Sequence, residues 1–507
     1  MAKQSKGLII LSMALGLLMS SLDNTIVSAC INKVVNDIGG IDKNTWVFTS
    51  YMLAATSTML IFGKLSDMFG RKKFYLIGIG LFLIGSALCG TATDIYQLIC
   101  YRVIQGIGSG SIFPISFSII YTLFNNQKDA AKMSGVFGAV FGLSSVAGPQ
   151  LGTWIADTLG WRWCFYVNLP IGILSFLVLL FSLRESKAEN KPKIDFLGAF
   201  LLVVSTVSVM LALELGGKDY AWASWPIIGL FALAAVATAL FIMVERKAEE
   251  PMLPLSIFKS RMVSGTSFVV FCQGAIMFSA VAYMPYYATF VLGKSNSNAL
   301  LTPMMASVIV GAISFGFLQA FFKFRTIMVA NMSIGVAVSA LFMNMSNTDP
   351  FWQIITLVVV LGLGVVGPLM SVAQNSIAGS VEQRYIGVSS SVVGFWRSIG
   401  GVLGASIMAV IVNRDMTSAA AQAISRFQIP PDQVAAATNP DQVFRAANQF
   451  SPDLVQYYST EMGHAISHGF IVSLCFMAAG AVIALLVRPA KLDTKKKGEE
   501  ASVQHVA

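Results

Sequence analysis

Two charges stand where the chain is otherwise apolar. Asp23 lies in "GLIILSMALGLLMSSLDNTIVSAC", a run with no other charge from Gly7 to Cys30, and Arg102 lies in "YRVIQGIGSGSIF". In such surroundings a carboxylate and a guanidinium can form a fixed structural ion pair. Alternatively they can separate, letting the carboxylate take up and release a proton, because burial favours the neutral acid and a nearby cation favours the anion. Both readings are open at this stage.

The elements that position these charges follow from composition. The 507 residues are 55% hydrophobic and 12% charged, with a mean hydropathy of +0.71; an ordinary soluble domain carries about 25% charge. Windows of roughly 20 apolar residues, enough to cross about 30 Å of hydrocarbon, recur along the chain. Fourteen spans are predicted, the first over 7–30 and the last over 467–487. The first is too long for the apolar core of a cleaved signal peptide and lacks a small-x-small cleavage site. Asp23 and Arg102 each fall about seven residues inward from the outer end of their helix, so both are roughly 10 Å deep. A lone charge at the bilayer centre costs at least about 2.5 to 3.5 kcal/mol, which favours a depth-matched pair or a wet cavity.

Of the 34 Lys and Arg residues, 24 fall on the side of the termini and eight on the other. This bias predicts cytoplasmic termini and a multi-pass protein of the plasma or inner cell membrane. The net charge of +9 is largely that asymmetry, so no nucleic-acid partner is expected. The six cysteines lie within or at the ends of apolar spans, which predicts small buried thiols rather than a disulfide framework.

The chain divides into an N-terminal six-helix bundle (1–183), a linker with two extra helices (184–261), a C-terminal six-helix bundle (262–487) and a tail (488–507). The fold class is therefore all-α integral membrane, with two bundles that can expose a site between them to each side in turn. The outer segment 413–466, rich in Ala and Gln and broken by prolines, predicts short amphipathic helices.

The turn "GKLSDMFGRKK" combines Gly63 and Gly70, which permit close approach and a tight bend, with Asp67 and Arg71, a charged clasp suited to holding one of two conformations. A positive-inside anchor accounts for the cations but not for the spacing of Gly63, Asp67 and Gly70. Gly148, Pro149 and Gly152 thin the fifth helix and predict a hinge or seal. Tyr51, Gln105, Phe113, Phe271, Gln273, Met277, Phe278 and Tyr283 offer an aromatic, thioether and amide lining for lipophilic solutes, although such residues also serve as bundle packing. Glu214 reads as interfacial rather than a second coupling acid. Arg397 has no acidic neighbour in sequence and suits either a counter-charge for anionic groups or contact with carbonyls. Glu461, His464 and His468 could share a helix face, but a solvated helix start is the expectation, with no metal site.

These motifs carry a resemblance. The sequence resembles the fourteen-helix drug:proton antiporter branch of the major facilitator superfamily, through the loop pattern at Gly63, Leu65, Asp67, Gly70, Arg71 and Lys72, then "LDNTIV", "YRVIQGIGSG", "GPQLG", "WRWCFYVNLPIG", "PMLPLSIF" and "FWRSIGGVLG". It departs at Ser144 and Thr153, where the antiporter motif usually has glycine, implying a slightly looser fifth-helix contact. Ala320 stands at the aspartate position of the second-half loop, implying a one-sided clasp.

The resemblance implies a multidrug exporter of lipophilic or cationic small molecules, driven by the proton gradient and needing no cofactor. Asp23 and Arg102 would be its coupling pair. One charge crossing 100 mV is worth about 2.3 kcal/mol, sufficient for a roughly fifty-fold gradient. Export of one dedicated metabolite, siderophore, antibiotic or lipid is the alternative, and an accessory partner is not specified. A membrane enzyme would require a convergent nucleophile, metal or acid pair, and a receptor would require a signalling domain; the sequence offers neither. The absence of a phosphate-binding Gly-rich Lys-Ser/Thr loop argues against ATP as the energy source.

Overall fold

The computed structural model describes residues 5–124, 126–185, 193–217, 219–427, 443–444 and 450–492. Among them fourteen helices are long and apolar enough to cross a membrane. They are α1 Lys6–Ile38, α2 Asn44–Phe69, α3 Arg71–Thr91, α4 Ile95–Leu123, α5 Gln127–Thr158, α6 Trp163–Ser182, α7 Phe196–Leu215, α8 Trp225–Glu245, α9 Arg261–Val291, α10 Ser297–Leu318, α11 Phe324–Phe342, α12 Phe351–Ala378, α13 Gln383–Arg426 and α14 Pro452–Leu486. Helices prevail because a chain in hydrocarbon must satisfy its own backbone N–H and C=O groups.

Polar residues mark several helix starts. Asp94 accepts the Tyr96 and Gln97 N–H groups at 2.9 Å, Asn126 that of Lys128 at 3.0 Å and Asp195 that of Gly198 at 2.8 Å, which supplies partners to donors the first turn leaves unpaired. Gly70, at φ +110°, makes the bend between α2 and α3 that a side chain would strain. In α12 a π turn over Gly362–Val366 precedes Pro368, whose missing N–H breaks the regular ladder.

Within the first bundle α1 packs on α5 and α6, and α2 on α4; in the second, α9 packs on α13 and α10 on α12. First-to-fifth and second-to-fourth contacts thus recur in both halves. The bundles meet along two seams, α2 against α13 and α5 against α10, each joining the second helix of one half to the fifth of the other. Small residues permit these approaches. A Cβ added to Gly387 would lie 2.6 Å from the Gly63 carbonyl oxygen, and one added to Gly135 would lie 3.0 Å from the Gly316 Cα. Helices α7 and α8 pair with each other, and α7 leans on α2 and α13.

In the segment 413–466, α13 continues to Arg426 and α14 begins at Pro452, and the short helices expected between them fall largely on residues 428–442 and 445–449, outside the described set. The two extensions hold each other: His468 Nδ1 lies 2.7 Å from Asp415 Oδ2, and Tyr457 donates to the Ala419 carbonyl at 3.3 Å. Continuing an existing helix costs less than nucleating a new one.

Candidate functional site

Asp23 and Arg102 meet. Both are fully buried, and Arg102 Nη1 donates to Asp23 Oδ2. The other carboxylate oxygen accepts Gln105 Nε2 at 2.7 Å and Asn168 Nδ2 at 2.8 Å. Arg102 also donates to the Val47 carbonyl at 3.0 Å, to Gln105 Oε1 at 2.8 Å and to Asn24 Oδ1 at 2.9 Å, with the Tyr51 ring 4.1 Å from its guanidinium carbon. Ser86 Oγ accepts Gln105 at 3.2 Å and Asn168 at 3.1 Å and donates to the Phe165 carbonyl. Side chains from α1, α2, α3, α4 and α6 therefore close around one ion pair. Such burial is tolerable because amide, hydroxyl and carbonyl partners occupy the remaining valences.

The network absorbs two residues expected to line a solute site. Gln105 is fully buried between Asp23 and Arg102, while Tyr51 covers the guanidinium and donates to Ser109 Oγ at 2.7 Å. It also includes Asn168, Ser86 and Asn24, none of which the sequence reading singled out. Asn24 and Asn168 lie inside quoted motifs, so their neighbourhood was the available signal.

The clasp crosses the α2–α13 seam at the end of the molecule that carries the termini. Asp67 Oδ1 pairs with Arg71 at 3.0 Å, Asp67 Oδ2 accepts the Val388 N–H at 3.0 Å, and Arg71 donates to the Gln383 carbonyl at 3.3 Å. Asp67 thereby caps the start of α13, where the helix dipole favours an anion. The other seam has a neutral counterpart: Asn375 Oδ1 accepts Tyr121 Oη at 2.6 Å and Ser134 Oγ at 3.1 Å, and its amide donates to Gln319 at 2.9 Å. Among the described residues the ion pair sits at one seam, while uncharged side chains hydrogen-bond across the other, where Lys132 also lies over the Phe317 ring.

Along α5, Gly148 and Gly152 face Thr25 and Ile26 of α1, and the helix is continuous through Pro149. Ser144 is buried against α1, its hydroxyl donating to the Val140 carbonyl at 2.8 Å and lying 3.4 Å from that of Leu18, while Thr153 points outward and leaves the contact undisturbed. Thr25 in turn donates to the Ser144 carbonyl at 3.2 Å.

At the opposite end a cavity of about 710 Å³ opens between α7, α9 and α13, with Glu214, Phe278, Tyr283 and Tyr286 in its wall. Phe278, Tyr283 and Glu214 are thereby brought together. Phe271 instead makes edge-to-face contacts with Trp396 and Phe476, Met277 packs in the second bundle's core, and Gln273 reaches toward the Val366 carbonyl at 3.5 Å. Phe113 lies at the seam beneath Arg397, whose guanidinium carbon is 4.8 Å from its ring centre.

Two six-helix bundles whose internal contacts recur, bridged at the end that carries the termini, define a secondary membrane transporter. A model of the Major Facilitator Superfamily matches residues 13–405, and the chain belongs to that superfamily. It is 40% identical over 501 residues to multidrug resistance protein 3 of Bacillus subtilis (strain 168), with 97% of each chain covered. It is 35% identical to the multidrug transporter protein MdtP of the same organism, covering 100% of this chain and 97% of that one. Among solved structures, the proton:xylose symporter XylE superimposes with a TM-score of 0.59 at 14% identity, covering 98% of both chains, a likeness of fold.

Proposed function

We propose that this chain exports lipophilic small molecules, cationic drugs among them, from the cytoplasm in exchange for protons, with both termini cytoplasmic. The reading is supported by the relatives named for multidrug resistance and transport and by the Lys and Arg bias toward the side of the termini. The observation that carries it is the sealed Asp23–Arg102 pair inside one bundle, in a molecule latched on the termini side and hollow on the other.

In this outward-facing arrangement Arg102, Gln105 and Asn168 all donate to Asp23. Rocking the bundles breaks the Asp67–Val388 and Tyr121–Asn375 contacts and opens the cytoplasmic end. The same motion slides α5 along α10 and, through Ser144 and Thr25, shifts α1 two residues from Asp23. Separating Asp23 from Arg102 lets the carboxylate take up a proton. The proton is released when the pair reforms, and with a single coupling acid the export of a neutral solute is electrogenic.

The test is dye efflux from cells expressing wild type or Asp23→Asn, with and without a protonophore. Wild type is expected to expel a lipophilic dye until the protonophore is added. Protonophore-insensitive efflux, or efflux undiminished in Asp23→Asn, contradicts the proposal.

A further inference from the structure

Residues 487–492, beyond α14, stay against the molecule. The chain turns extended at Val487 and runs along the termini end of the second bundle, where the Ala490 carbonyl accepts the Phe324 N–H at 2.9 Å. Phe324 opens α11, so Ala490 takes a donor that the helix leaves unpaired in its first turn. Arg488, Pro489 and Lys491 are exposed, while Val487 and Leu492 are buried. A terminal segment frays unless something ties it down, yet Leu492 is only 6% exposed. Its seat is shared by both bundles. Leu492 lines a cavity of about 40 Å³ together with Tyr121 and Phe124 of α4 and Ala130 of α5 on one side, and with Asn375, Ala378 and Ile386 of α12 and α13 on the other. Tyr121 and Asn375 are the pair whose 2.6 Å hydrogen bond joins the two bundles there.

We propose that Leu492 is a plug for the gate at the termini end, seated only while that end is closed, so that the tail of the chain stabilises the outward-facing state. The inference rests on the rocking of the two bundles and adds a regulatory device to it. Ala490 anchors the strap on the second bundle, through a bond that lies within that bundle. Leu492, two residues further on, reaches across to the first. When α4 and α5 move away from α12 and α13, the first-bundle half of its seat goes with them, and the leucine loses apolar cover to water. Burial of this side chain is therefore coupled to the closed gate, which it favours about tenfold over the open one. Withdrawing the tail lowers the cost of opening toward the cytoplasm by the same factor.

Thiol accessibility in the purified full chain tests the plug. Ser391 of α13 is fully buried and faces Gly63 of α2, outside the cavity that Leu492 lines, so Ser391→Cys reacts with a water-soluble maleimide only when the bundles part. Adding Leu492→Asn should raise that rate about tenfold, read on the peptide that carries residue 391, and adding Lys491→Ala should leave it unchanged. In separate chains Leu492→Cys should react at least about tenfold more slowly than Lys491→Cys, as a seated side chain requires. An unchanged Ser391→Cys rate with Leu492→Asn overturns the plug, because a leucine that merely packs on the second bundle can be lost without opening the α2–α13 seam. Equal rates for Leu492→Cys and Lys491→Cys, or a rise of the same size with Lys491→Ala, also overturn it. Protonophore-sensitive dye efflux by wild type, measured alongside, separates the plug from the export reading. A raised rate without any efflux leaves the plug standing and export failing; efflux with an unchanged rate does the reverse.

Discussion

Asn168 of α6 and Gln105 of α4 donate to the same oxygen of Asp23, at 2.8 and 2.7 Å, opposite the oxygen that Arg102 engages. The Asp23 carboxylate is therefore held by three side chains from two helices of the first bundle. α1, which carries Asp23, is tied to α5 through Thr25 and Ser144, and α4, which carries Arg102 and Gln105, reaches the second bundle through Tyr121.

Removing Asn168 tests this arrangement. Asn168→Leu takes one donor from Asp23 and one from Ser86, and is expected to cost about 1 to 3 kcal/mol, the penalty for unmade buried hydrogen bonds. Thermal unfolding in detergent measures it; an unchanged midpoint contradicts the network.

Arg102→Leu should be worse, by about 3 to 5 kcal/mol, because it strands a buried carboxylate. The double variant Asp23→Leu with Arg102→Leu should regain most of that stability, since neither charge is left alone. It should nevertheless fail to couple export to protons. Stability equal to or below that of the single Arg102 variant would show that the pair is not a mutually compensating unit.

Asp67 and Arg71 bridge the α2–α13 seam at the end that carries the termini. Asp67→Ala removes the acceptor of both Arg71 and the Val388 N–H and is expected to shift the population toward the inward-open state by about 1 to 3 kcal/mol. Spin labels at Lys73 and Glu382 should report a longer inter-bundle distance. An unchanged distance distribution contradicts a latch at this seam.

Gly387→Ala acts on the same seam by steric means. Its methyl would meet the Gly63 carbonyl oxygen at 2.6 Å, and overpacking of that kind costs about 1 to 3 kcal/mol. The same label pair should widen. A distance indistinguishable from wild type would mean that the two helices do not approach as closely as described.

Much of this was legible in the sequence because it rests on strong signals. Apolar windows of bilayer length fix the helix count, and charges in apolar runs stand out, so Asp23, Arg102 and the Asp67 turn are found by inspection. Neutral polar groups give no such contrast. Asn168, Ser86 and Asn24 are ordinary residues until three-dimensional packing aims them at Asp23, and Gln105 reads equally well as a solute ligand or as a partner of the pair. The neutral latch of Tyr121, Ser134, Asn375 and Gln319 brings together four helices from both bundles, a relationship that depends on seam geometry. The continuation of α13 to Arg426 depends likewise on its partner α14, through Tyr457 and His468.

Transport by purified protein in liposomes decides whether Asp23 carries the proton. Reconstituted into liposomes, wild type should concentrate a lipophilic dye when a proton gradient is imposed and should exchange dye at equilibrium without one. Asp23→Asn is expected to keep the exchange, because the amide preserves the fold and leaves rocking intact, and to lose accumulation against the gradient. Gradient-driven accumulation by Asp23→Asn at the wild-type level would show that the proton is carried elsewhere.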